Sequence, residues 1–139
     1  MNTAFNDDET GQEPLLVRRL MPLALALYWL LIFTATHLPS DRLPELGTSD
    51  KLQHFVAYGI LAFLLSHFLR ARAKWQRANR LAIATILIVG FYAIFDENTQ
   101  RLIPGRTYDV LDILADCIGG CLGYAAFYVL PKPSLPGQQ

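Results

Sequence analysis

The sequence has no excess of charge of either sign, few cysteines and no short motif that marks a catalytic nucleophile. Its 12 basic residues balance its 12 acidic ones, which gives no sign of the basic stripe that nucleic-acid binding requires. The two cysteines, Cys117 and Cys121, lie four residues apart on a predicted helix, where they are interpreted as small packing residues. Neither GxSxG nor HExxH is present. No nucleic-acid partner is therefore expected, and the sequence contains no motif that would identify the nucleophile of an enzyme.

Hydrophobic residues, in contrast, make up 53% of the 139-residue chain and fall into four long runs. The runs are Leu20–Leu38, Leu52–Leu69, Leu81–Phe95 (Ala78–Glu97 at full length) and Val110–Leu130. About 20 residues of helix cross the roughly 30 Å of bilayer hydrocarbon. A soluble four-helix bundle would instead show a polar stripe along each helix, and "LALALYWLLIF" has none. We therefore predict an all-α fold, a four-helix transmembrane bundle.

The positions of the basic residues predict the orientation of this bundle, because cytoplasmic loops carry the excess of Lys and Arg. Eight basic residues precede the first run, lie in the connection Arg70–Arg80 or follow the last run, and four lie in the other two connections. Both termini are therefore predicted to be cytoplasmic, with loops 39–50 and 96–109 outside. Residues 1–19 and 131–139 are predicted to be disordered cytoplasmic tails on either side of a 20–130 transmembrane domain.

Polar side chains concentrate at the outward ends of the predicted helices. Asp50, His54 and Tyr58 recur at a spacing that places them on one helix face, and Asp112 and Asp116 share a face in the same way. Asp50 alone could equally be an N-cap. We predict one polar pocket at the outer membrane boundary, formed by Asp50, Lys51, His54, Tyr58, Asp96, Glu97, Gln100, Arg106, Asp112 and Asp116.

Asp116 is the most costly of these groups because it lies about two turns inside a spanning helix, where an isolated carboxylate costs about 3 kcal/mol on insertion scales. It is therefore predicted to face the bundle interior and meet a donor on Arg106, His54 or Gln100. Our hypothesis is that it is protonated and neutral. Gly119 and Gly123 follow at the small-xxx-small spacing that lets another helix approach closely, which predicts a glycine-packed floor below the aspartates.

Two stretches, "DKLQHFVAYGILAFLL" (residues 50–65) and "FDENTQRLIPGRTYDVLDILADCIGGCLG" (residues 95–123), resemble the signature stretches of the VanZ-like family. These are small bacterial membrane proteins named after a teicoplanin-resistance protein. The family usually shows Asn where this chain has Asp116. The resemblance implies a multi-pass protein of the bacterial cell envelope, in the cytoplasmic (inner) membrane. It implies an effect on glycopeptide susceptibility for some members, and it supplies no reaction.

Three functions stay open at this point. In the first, the pocket binds or handles an envelope lipid or lipid-linked precursor, with Arg106, Lys51 and His54 holding a phosphate or carboxylate headgroup. In the second, the protein is a membrane-embedded hydrolase or transferase that acts on a lipid-linked substrate. In the third, the polar network only locks the four helices together.

The enzyme hypothesis assigns roles to specific residues. His54 is the candidate general base, and Glu97 and Asp112 are further catalytic candidates. Asp96, Glu97 and Asp112 could hold a divalent cation through their oxygens. No cofactor is otherwise evident, and neither the metal nor the oligomeric state follows from the sequence.

Overall fold

A computed structural model describes residues 15–39, 47, 49–72 and 78–130. They form four α-helices: α1 (Leu15–Thr36), α2 (Asp50–Arg72), α3 (Ala78–Gln100) and α4 (Val110–Val129). Each helix contains a stretch of 18 to 23 residues that is long and apolar enough to cross a membrane. The predicted all-α class and the four predicted spans are confirmed.

The ends of the helices differ from the predicted ends by a few residues. α1 begins at Leu15, because the apolar "LLV" before Arg18 continues the helix, so the last part of the predicted N-terminal tail is helical. The rest of that tail and residues 131–139 lie outside the described residues. Asp50 is the first residue of α2 rather than its cap, since the Leu52 N–H donates to Ser49 Oγ at 3.3 Å.

The distribution of side chains is inverted relative to a water-soluble bundle. Large apolar side chains such as Leu31, Phe91 and Val129 are 62%, 71% and 77% exposed, whereas Asp96 and Asp116 are 0% and 1% exposed. A lipid solvent favours this arrangement, because apolar groups can face hydrocarbon while polar groups must find partners inside the protein. The chain is a multi-pass membrane protein.

The closest packing in the bundle joins α2 to α4 and depends on glycine. A Cβ atom added to Gly119 would lie 2.9 Å from the carbonyl carbon of Phe55, and one added to Gly123 would lie 2.8 Å from that of Gly59. Both distances are shorter than real Cβ contacts, so the two backbones touch directly. This contact fixes the polar N-terminal turns of α2 and α4 side by side.

Helix α1 is attached more loosely than the other three. Among the described residues it packs along α2, touches α3 slightly and does not contact α4. A hydrogen bond from the Tyr28 hydroxyl to the Ala57 carbonyl, 3.0 Å long, crosses the α1–α2 seam. A cavity lies between the ends of α1 and α2 on this side of the bundle.

Candidate functional site

The first part of the site is a lysine held by two carboxylates. The Lys51 ammonium donates to Asp109 Oδ2 at 2.6 Å and to Asp112 Oδ1 at 3.2 Å. Asp109 is also the N-cap of α4, because its Oδ1 accepts from the Leu111 N–H at 2.8 Å. The hydrogen bond from Lys51 holds the pKa of the Asp109 carboxyl below its ordinary value. Lys51, which the lipid-binding hypothesis assigned to a headgroup, thus contacts two carboxylates at the N-terminal end of α4.

The second part is a buried histidine–aspartate pair one level deeper in the membrane. His54 Nδ1 and Asp116 Oδ1 are 3.0 Å apart, and the two side chains are 6% and 1% exposed. Of the three donors proposed for Asp116, His54 is therefore the partner. Arg106 and Gln100 make other contacts, because they lie nearer the ends of α1 and α3.

The carboxylates at the end of α3 form the third part. Asp96 accepts hydrogen bonds from the Thr36 hydroxyl at 3.0 Å and from Gln100 Nε2 at 2.9 Å. Glu97 Oε1 accepts from the Asp109 backbone N–H at 2.5 Å. Its second oxygen, Oε2, is buried and has no hydrogen-bond partner among the described residues. Glu97 therefore keeps one unused acceptor inside the protein.

Arg106 closes the site from the α3–α4 connection. Its Nε and Nη2 donate to the carbonyls of Leu38 and Ala35 at 3.4 and 3.3 Å, so it caps the C-terminal end of α1. Its Nη1 lies 3.9 Å from Asp50 Oδ2, too far for a direct hydrogen bond. Gly105, at φ 79°, supplies the left-handed turn that directs the chain back to this position. Nη1 remains available to a bound group.

A cavity of about 320 Å³ opens between α1, α2 and Arg106. One wall is mainly apolar and comes from α1, and the other is mainly polar and comes from α2. The lining side chains include Leu31, Ile32 and Ala35 on the first wall, and Asp50, Gln53, His54 and Tyr58 on the second. The cavity therefore offers an apolar surface beside a polar one at the end of the spanning helices.

Only one group of potential metal ligands is compact enough to consider within the described residues. Ligand atoms of Asp50, His54 and Asp112 all lie within 4.8 Å of one another. The set expected from the sequence, Asp96, Glu97 and Asp112, is not brought together in this way. Adjacent residues of a helix point about 100° apart, so Asp96 faces α1 while Glu97 faces α4.

The predicted site residues thus form separate groups of contacting side chains. Lys51, Asp112, His54 and Asp116 join α2 to α4. Asp96 joins α3 to Thr36 of α1 and also accepts from Gln100 within α3. Two contacts were not predicted from the sequence. They are the hydrogen bond from Thr36 to Asp96 and the packing of Gly59 against Gly119. A polar residue at the last position of an apolar helix was the one available signal for Thr36, and a lone glycine on α2 was the signal for Gly59.

A comparison with protein families matches most of the chain to one family. The model of the family described as VanZ/LLP1 matches residues 20–131. This range contains the apolar segments of α2, α3 and α4 in full and that of α1 except for its first residue, Arg19. No curated protein and no solved structure shows significant similarity to the chain. The match spans well over half of the sequence, and the chain belongs to the VanZ/LLP1 family.

Proposed function

We propose that this protein binds an envelope lipid or lipid-linked precursor in the cavity between α1 and α2, at the outer face of the bacterial cytoplasmic membrane. The observation that carries the proposal is the two-sided lining of that cavity. An acyl or prenyl chain fits the apolar wall of Leu31, Ile32 and Ala35, and a headgroup fits the polar wall beside Arg106. The outward orientation rests on the distribution of basic residues along the sequence.

Arg106 is the residue that would hold the headgroup. Two of its nitrogens are fixed by the carbonyls of Leu38 and Ala35, which positions the guanidinium without using its Nη1. A preorganised guanidinium is the donor that best matches the paired oxygens of a phosphate or carboxylate. Asp50 and His54, on the facing wall, can accept from or donate to sugar hydroxyls.

The loose attachment of α1 supports entry from the bilayer. A lipid cannot reach the cavity through water without exposing its chain, so a path between helices is required. Since α1 packs along α2 and does not contact α4 within the described part of the chain, its movement would open the cavity sideways and leave the α2–α4 contact intact. An influence on glycopeptide susceptibility would follow if the bound lipid is a target or neighbour of such an antibiotic in the outer leaflet.

Native mass spectrometry of the full chain in a gentle detergent tests this proposal. The parent protein should retain lipid in a fixed ratio, and Arg106→Gln should lose it. Arg101→Gln is the matched control, because Arg101 lies in the same connection, is exposed and does not line the cavity. Lipid retention that is equal in all three proteins, or absent from the parent, would contradict the proposal.

A second candidate, a hydrolase or transferase acting on the same class of lipid, is favoured by the His54–Asp116 pair. A buried carboxylate bonded to Nδ1 fixes the ring of His54 and leaves Nε2 to exchange a proton with a molecule in the cavity. Adding a lipid-linked substrate to the same native mass spectrometry experiment separates the two candidates. A binding protein returns the added lipid-linked substrate unchanged in mass, whereas an enzyme converts it to a product of different mass.

A further inference from the structure

The polar cluster contains more carboxylates than cations, and this imbalance needs an explanation. Two permanently charged cations, Lys51 and Arg106, contact it. Its acidic members are Asp50, Asp96, Glu97, Asp109, Asp112 and Asp116. Four of them (Asp96, Glu97, Asp112 and Asp116) are buried, and an uncompensated buried carboxylate costs several kcal/mol unless it is protonated or balanced by a cation.

We propose that Asp50, His54 and Asp112 bind a divalent first-row metal ion such as Zn²⁺ or Mn²⁺. One ligand atom from each lies within 4.8 Å of the others. Ligand atoms about 2.1 Å from a metal are about 3.0 to 3.5 Å apart, so binding requires the three groups to close by roughly 1.5 Å. The Asp50 side chain is 53% exposed and can make that movement. Imidazole with two carboxylates is a set suited to these ions.

One ring nitrogen of His54 has a buried carboxyl as its partner. Its Nδ1 is bonded to the buried Asp116 carboxyl at 3.0 Å, which leaves Nε2 as the coordinating nitrogen. A carboxylate on the far ring nitrogen is the usual support for a metal-bound histidine, because it fixes the tautomer and the ring plane. The structure therefore provides the supporting residue as well as the ligands.

The two neighbouring cations leave ligand atoms free. Lys51 contacts Oδ1 of Asp112 and leaves Oδ2, and Arg106 approaches Oδ2 of Asp50 at 3.9 Å without a direct hydrogen bond. Lys51 also divides its interaction between Asp112 and Asp109, which it contacts at 2.6 Å. Each carboxylate ligand thus keeps an oxygen for the metal.

Mn²⁺ titration of the chelator-treated full chain in detergent, followed by electron paramagnetic resonance, tests the site. We expect saturable binding of one ion per chain, with nitrogen hyperfine coupling from His54. Asp50→Asn should lower the affinity about tenfold or more. Asp96→Asn, which removes an equal charge from a carboxylate that contacts Thr36 and Gln100 rather than Lys51 or a proposed ligand, should retain the parent affinity.

Binding that is weak and unsaturable, that lacks nitrogen coupling, or that falls equally in the two variants would overturn the proposal. The last of these results would show that the acidic cluster attracts ions only through its overall charge. No lipid is added in this experiment, so its outcome does not depend on lipid binding. Failure of the metal site and failure of the proposed function can therefore be told apart.

Discussion

Replacing Gly119 with alanine should disturb both the fold and the candidate site. The new Cβ atom would lie 2.9 Å from the Phe55 carbonyl carbon. The Phe55 carbonyl oxygen lies closer still to the new Cβ atom. Carbon atoms make their best contacts at about 3.5–4.0 Å, so α4 must move away from α2 by at least about 1 Å. The obstacle is backbone and cannot rotate aside, as a side chain could. Overpacking of this kind costs about 1–3 kcal/mol.

The same displacement should break the polar contacts that cross this interface. The His54–Asp116 distance of 3.0 Å and the Lys51–Asp112 distance of 3.2 Å would increase towards 4 Å, beyond hydrogen-bonding range. We therefore expect Gly119→Ala to lower the unfolding temperature in detergent and to reduce retention of lipid in the native mass spectrum. A packing defect is in this way transmitted directly to the site.

Gly90→Ala provides the matched control for this experiment. Gly90 lies within α3, and a Cβ atom added there would meet no heavy atom within 4 Å. Alanine also has the higher helix propensity, by about 1 kcal/mol in water. This variant should unfold no earlier than the parent and should retain the same lipid. Equal behaviour of the two alanine variants would refute the argument that backbone contact sets the α2–α4 distance.

Two further predictions concern the buried acid and the orientation in the membrane. Asp116→Asn should be nearly neutral in thermal unfolding, because an amide oxygen can accept from His54 Nδ1–H as the carboxyl does. Asp116→Leu should cost about 1–3 kcal/mol because it leaves that nitrogen without a partner, and equal losses in both variants would show that the negative charge itself is needed. Single cysteines at Thr48 and Ala73, both outside the described residues, should label oppositely with an impermeant reagent in intact cells. Labelling of Ala73 from outside would contradict the predicted orientation.

The existence of the four helices could be predicted from sequence because lipid imposes a simple requirement on each of them. Every spanning segment must be long, apolar and helical, and this requirement is visible in runs such as Val110–Leu130 without knowledge of any neighbour. The polar ends of the helices could be identified for the same reason, since charges stand out against an apolar background. The predicted close helix packing at Gly119 follows from a spacing rule of similar simplicity.

The partners of individual polar groups could not be predicted, because they depend on how each helix is rotated about its axis. Three donors were equally compatible with Asp116, and the structure selects His54 because it lies at the matching depth on α2. Asp96 and Glu97 were expected to act together, yet they face different helices. Spacing along one helix predicts which residues share a face and does not predict which neighbour that face meets.

The α2–α4 contact also determines when the site can form during synthesis. His54 and Lys51 enter the membrane with α2, before the ribosome has made Asp112 and Asp116, which lie about 60 residues later in the chain. Until α4 follows, His54 lacks the hydrogen-bond partner that it has within the described part of the chain. We expect a nascent chain that stops before residue 110 to be recognised by membrane quality-control proteases, because this histidine is then left in the membrane without Asp116.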